Sequence, residues 1–121
     1  MRAIIDSDVL IDYLQGLEQA KREIDRYSQL EISIISWMEI MIGAETTEEE
    51  KACREFLSRF TIHQLSKEVA AEAVKLRKKF RIRLPDAIVW ATARVSGYLL
   101  VTRNTKDFPL KEPGVRVPYS A

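Results

Sequence analysis

The 121-residue chain has one cysteine, Cys53, and one histidine, His63. A lone cysteine cannot close an internal disulfide, and the pair cannot build a Cys/His zinc site, which needs about four such ligands. Long apolar runs are missing too. The longest candidate, residues 32–43, is cut by Ser33, Ser36 and Glu39 and falls short of the roughly 20 residues that span a bilayer. The opening MRAIIDSDVLIDYL is interrupted by aspartates and is followed by no small-residue cleavage site, so it does not read as a secretory signal. Charge of one sign is also lacking. Lys and Arg number 19 and Asp and Glu 18, leaving a net charge of +1. No global basic field announces a nucleic-acid binder, and any such function must rest on local patches. Glycine and proline are sparse, at 4 each, and no repeat, linker or low-complexity tract is seen. A cytoplasmic protein is expected.

What is present reads as a folded chain. A composition 46% hydrophobic and 31% charged suits a globular protein, and the length suits one domain over 1–121. Short apolar runs alternate with longer stretches of helical spacing. Ala3–Ile5 reads as a buried strand ended by Asp6, with Ser7 or Asp8 capping a helix that Gly16 stops. A helix is expected over 18–28, a strand over 31–35, and a helix from Ser36 to Gly43. Thr46 or Thr47 caps the next helix, 60–64 forms a third strand, and Ser66 caps a long helix to Phe80. Pro85 sits in the first turn of a helix that Gly97 ends, and 98–101 and 115–117 supply two more strands. This alternation predicts an α/β fold with a parallel sheet of about five strands covered on both faces.

In such sheets, sites gather at the carboxyl edge. Asp6 follows the first strand, Glu39 lies one turn into the helix after the second, and Asp107 lies just past the fourth. Asp86 starts the helix leading into that strand. Carboxylates gathered together repel one another, and a divalent cation removes that cost. Ligands that are all oxygen suit Mg²⁺ or Mn²⁺, and such an ion serves phosphodiester hydrolysis by acidifying a bound water and neutralising the leaving oxygen. Each acid also has a structural reading. Ser36-Trp37-Met38-Glu39 is a capping box, Asp86 complements its helix dipole, Asp107 suits a turn, and Asp8 and Asp12 read as a cap and an exposed helix position.

Lys75, Arg77, Lys78, Lys79, Arg81 and Arg83 form a dense basic stretch before Asp86. It reads either as a grip on RNA phosphates, weakening with salt, or as a solvated face. Arg103, between Thr102 and Asn104, is the stronger candidate for phosphate contact; Arg2, Lys106 and Lys111 are weaker ones. Trp37 and Trp90 read as packing residues rather than base-stacking platforms, Phe108 as core, and His63 as structural.

Three segments, AIIDSDVLIDYL, ISIISWMEIMIGA and LPDAIVWATARVSGYLLVTRNTKDF, resemble the PIN-domain family, and within it the VapC-type toxins of toxin–antitoxin pairs. The resemblance covers essentially the whole chain. It implies a Rossmann-like α/β/α sandwich and a Mg²⁺- or Mn²⁺-dependent endoribonuclease. Asp6, Glu39, Asp86 and Asp107 match the family's metal-holding acids. Thr102 would hydrogen-bond an acid, Asn104 would fix its loop, and Ser7 would be a supporting donor. The resemblance further implies a homodimer blocked by a cognate VapB-type antitoxin. Asp8 is a departure, because toxins of this type often carry Asn or another neutral residue there. Two rivals differ in class. Asp6-Ser7-Asp8 also resembles the opening of haloacid-dehalogenase-type phosphatases, which would need a late acidic pair and a longer chain. An inactive interaction module of the same fold would not need all four acids.

Overall fold

The computed structural model describes residues 2–109 and 112–120. Five short strands, β1 (Ala3–Ile5), β2 (Glu31–Ser33), β3 (Thr61–His63), β4 (Leu99–Val101) and β5 (Val115–Arg116), form one sheet in the order β3-β2-β1-β4-β5. All four pairings are parallel, as the alternation of strands and helices required. The helices are α1 (Ser7–Leu14), α2 (Glu18–Asp25), α3 (Ile34–Ile42), α4 (Thr47–Leu57), α5 (Lys67–Phe80) and α6 (Leu84–Ser96). None among the described residues is long and apolar enough to cross a membrane.

The period-2 alternation of strand side chains divides the core between the two sheet faces. Ala3, Ile5, Ile32 and Val101 pack against Val9 and Leu10 of α1, Ile24 of α2, Ile40 of α3 and Phe56 and Leu57 of α4. Ile4 and Leu100 point the other way, onto Val69, Ala73 and Leu76 of α5 and the buried face of α6. The result is an α/β/α sandwich. Trp90 and Phe108 lie in this second core, their rings edge to face at 5.9 Å.

The sheet order decides where a site can form. The chain moves outward from β1 through β2 to β3, then crosses back to lay β4 on the other side of β1. The direction of winding therefore reverses between β1 and β4, and connections leaving their carboxyl ends diverge to opposite faces. The crevice this opens is where doubly wound sheets bind ligands.

Helix boundaries differ from the sequence expectation at α2, which ends at Asp25 rather than near 28, and most clearly at the start of α3. The run Ile34-Ile35 looks like strand, but Ser33 ends the strand as an N-cap (φ −75°, ψ 151°), and its hydroxyl accepts from the Ile35 N–H at 3.1 Å. The helix therefore starts at Ile34, and Ser36 is buried inside it.

Candidate active site at the β1–β4 crevice

Asp6 leaves β1 in extended conformation (φ −72°, ψ 153°) and itself caps α1, in place of Ser7 or Asp8. Its backbone N–H still pairs with the Val101 carbonyl at 2.8 Å, so the side chain projects at the end of both central strands. Oδ1 accepts from the Ser7 N–H and Oδ2 from the Thr102 hydroxyl, both at 2.8 Å. Asp8, in the first turn of α1, accepts through Oδ2 from the same hydroxyl and from the Arg103 N–H, both at 3.2 Å. Its Oδ1 is buried without a partner.

Glu39 is reached through Ser7. The Ser7 hydroxyl donates to Glu39 Oε1 at 3.0 Å, across 32 residues of sequence. Ser36 does not cap this helix; its hydroxyl is buried and unpaired, so no capping box forms. Asp86 sits in the first turn of α6, 9% exposed. Asp107 stands beside it, held by the Asn104 Nδ2 at 2.8 Å. The Asn104 Oδ1 accepts from the Lys106 and Asp107 N–H groups at 3.1 Å, an Asx-type turn that shapes the loop. Arg83 leans over both acids, with Nε 3.4 Å from Asp86 and Nη2 4.0 Å from Asp107.

The electrostatics single out this crevice. Burial pushes the Asp6 carboxyl up to about 8, reinforced by the charges of Asp8 and, more weakly, Asp86 and opposed by the Thr102 and Ser7 hydrogen bonds. Burial also raises Asp8, against the hydrogen bond from Thr102 and the charge of Arg103. Asp86 is raised by burial, relieved by Arg83, and raised again by Asp107. Each group resists ionising where it stands, because charge in a dry crowded crevice lacks compensation.

Among the described residues, no three His, Cys, Asp or Glu side chains stand close enough to enclose an ion as they lie. The donor chemistry nevertheless fits a hard cation. The donors are all oxygen, the unpaired Asp8 Oδ1 is buried beside Asp6 and Thr102, and a divalent charge would relieve the resistance of Asp6, Asp8 and Asp86 to ionisation.

The basic residues divide. Arg103 does not present its guanidinium to the crevice. It pairs with Asp12 through Nε and Nη2, the latter at 3.1 Å, so the guanidinium expected to contact phosphate is engaged within the chain. Asp12 is not an exposed helix position but 6% exposed, and also accepts from the Tyr119 hydroxyl at 2.8 Å. The pairing was foreshadowed only by the i, i+4 spacing of Asp8 and Asp12, which puts both on one stripe of α1. Arg77, Lys78 and Arg81 line a shallow depression at the end of α5. Arg81 caps that helix in the left-handed conformation (φ 56°) usually taken by glycine, and Arg77 Nη1 donates to the Ile82 carbonyl at 2.7 Å. Lys79 lies over the Phe80 ring. Lys111 is outside the described residues.

Comparison with known proteins identifies the family of this fold. The PIN domain family model matches residues 3–111. Ribonuclease VapC10 of Mycobacterium tuberculosis is 31% identical over 117 residues, 90% of this chain and 87% of that protein. A toxin–antitoxin complex from Klebsiella pneumoniae contains a chain 40% identical, with a TM-score of 0.93, covering 99% of this chain and 100% of its own. VapBC2 from Rickettsia felis, solved with a DNA fragment from its promoter, shares the fold at 20% identity, with a TM-score of 0.79 and coverage of 95% and 96%. A family match over most of the chain, with relatives this similar along most or all of their lengths, makes the chain a member of the PIN-domain family, of the VapC type.

Proposed function

We propose that the chain is a divalent-cation-dependent endoribonuclease, the toxin of a VapBC-type toxin–antitoxin pair, working in the cytoplasm. One observation carries the chemistry: Asp6, Asp8 and Asp86 are gathered at the β1–β4 crevice, and each is raised in proton affinity by burial that its neighbours' charges reinforce or only partly relieve. A fold that merely needed buried acids would pair them with cations, as it does elsewhere in this molecule.

In this reading Asp6, Glu39, Asp86 and Asp107 hold Mg²⁺ or Mn²⁺. When bound, the ion supplies an acidified water and positive charge at the scissile phosphate. The chain's own groups do the rest. Thr102 fixes the direction of the Asp6 carboxylate, Ser7 holds Glu39, and Asn104 holds Asp107. Such supporting hydrogen bonds orient ligands and set their basicity. Arg83, 75% exposed and already over the acids, would meet an RNA phosphate, with Arg81 and Lys79 as further phosphate contacts. Hydrolysis then adds water across one P–O bond of the RNA backbone.

A partner-binding role is supported by α3. Met38 and Ile42 are exposed at 41% and 79% beside Trp37, whose indole lies 5.7 Å from the Arg54 guanidinium. That apolar surface suits an antitoxin or a second copy in a homodimer. The phosphatase alternative is not favoured, since the family match and the similar proteins are PIN-domain and VapC-type. The test is cleavage of mixed cellular RNA in Mn²⁺ or Mg²⁺, with an EDTA control and a small phosphate monoester alongside. Cation-dependent RNA cleavage with the monoester untouched is expected. Monoester turnover, or cleavage undiminished by EDTA, would overturn the assignment.

A further inference from the structure

The loop after β4 is held from outside the site. Asp12 is buried and spends both oxygens on two groups: the Arg103 guanidinium, gripping it in fork geometry, and the Tyr119 hydroxyl at 2.8 Å. Tyr119 lies beyond β5, and that segment is pinned just before it. Arg116 forks onto the buried Glu23 of α2 at 2.8 and 2.9 Å, and its carbonyl accepts from the Thr102 N–H at 3.0 Å. The C-terminal segment is thus fastened to α2 and α1, and through Asp12 to Arg103.

Arg103 is the middle of three consecutive residues, each setting an acid. The Thr102 hydroxyl donates toward Asp6 and Asp8, and accepts from the Asn104 N–H at 3.0 Å, which turns its proton to the carboxylates. The Arg103 N–H donates to Asp8, and the Asn104 amide holds Asp107. Anchoring the central side chain restricts the backbone of all three. Turning the guanidinium to a phosphate would strand Asp12 as a buried charge without its cation, which is costly.

We infer that Arg103 is a positioning residue, and that the Asp12–Arg103–Tyr119 clasp makes the C-terminal segment a working part of the active site. The kinetic side rests on the nuclease reading; the geometric side does not.

The test uses the full chain with Mn²⁺ and a cleavable oligoribonucleotide, comparing Arg103→Lys, Asp12→Asn and Tyr119→Phe. Misplaced acids lower turnover without loosening RNA, so kcat should fall about tenfold in the first two variants and about threefold in the third, with KM and its salt dependence unchanged. In a further variant, Arg103→Gln, which removes the charge, a raised KM and a salt slope reduced by about one unit would mark a phosphate contact and overturn the inference. A second arm needs no activity: amide hydrogen exchange at Arg103, Asn104 and Asp107 should quicken in every variant while Ile5 and Leu100 stay protected. Unchanged exchange at the loop overturns the inference even if the parent cuts RNA well. Quickened exchange in a chain that cuts no RNA sustains the clasp and sinks the nuclease reading instead. Should Asp12→Asn fail to fold, the two milder variants decide.

Discussion

The molecule buries carboxylates in two ways. Glu31 on β2 is 1% exposed yet fully compensated: Arg2 forks onto it at 2.9 Å through two nitrogens, and His63 Nε2 lies 2.9 Å away. Burial works to raise its carboxyl, but these bonds win and hold it below the ordinary range. Glu23, with Arg116 and Tyr27, and Asp12, with Arg103 and Tyr119, follow the same pattern. At the β1–β4 crevice the balance reverses. Asp6, Asp8 and Asp86 are raised, because hydroxyls, backbone N–H groups and the charges of Arg83 and Arg103 do not offset burial and mutual repulsion. Carboxylates that support the fold are matched with arginines, whereas those at the crevice are left wanting a cation.

Exchanging the two kinds of acid for neutral side chains should therefore give opposite results. Asp6→Asn should lower RNA cleavage about a thousandfold, the loss of several kcal/mol of charge stabilisation. Its metal-free melting temperature should hold or rise, because repulsion is relieved. Parent-like cleavage by the variant would break the comparison. Glu31→Gln should leave cleavage intact and cost about 1–3 kcal/mol in denaturant unfolding, by weakening the bonds from Arg2 and His63. Neutral stability there would mean the paired acids are dispensable.

The acid and neutral flanks of the stability profile sharpen the contrast. Asp6, Asp8 and Asp86 bind protons more tightly folded than unfolded, so their contribution is present at low pH and lost as pH rises past the ordinary carboxylate range, for Asp6 toward about 8. Asp12, Glu23 and Glu31 are depressed, so theirs is present above that range and lost on acidification. Metal-free melting temperatures should therefore fall from mildly acid toward pH 8, and saturating Mn²⁺ should flatten that decline. A decline that Mn²⁺ leaves unchanged would count against the crevice as its cause. The smallest effects belong to the basic residues of α5 and its cap. Lys79→Ala and Arg81→Ala should each weaken RNA binding about two- to threefold and reduce the salt slope by up to about one unit, measured by titration with a non-cleavable RNA.

Much of the fold was readable because its signals are local. Gly97 ends α6, Pro85 opens it, and alternating apolar runs mark the strands. Strand order was not readable, since nothing in β3 or β4 states which neighbour it joins. The start of α3 was misjudged because Ile34 and Ile35 carry strand propensity, while a single hydroxyl on Ser33 decides the turn. The four acids could be listed from their places at strand ends and helix starts, and the link from Ser7 to Glu39 follows only from the packing of α1 on α3. Arg103 and Asp12 escaped for a related reason. A charged side chain's direction depends on which partner the tertiary fold supplies, and here the partner lies 91 residues away.

The most direct measurement is anomalous scattering from a crystal soaked in Mn²⁺. A peak within coordination distance of the Asp6 and Asp86 carboxylates, lost in the Asp6→Asn variant, is what the account requires. A crevice with no peak while Mn²⁺ binds at another carboxylate, or a peak that survives in the variant, would contradict it.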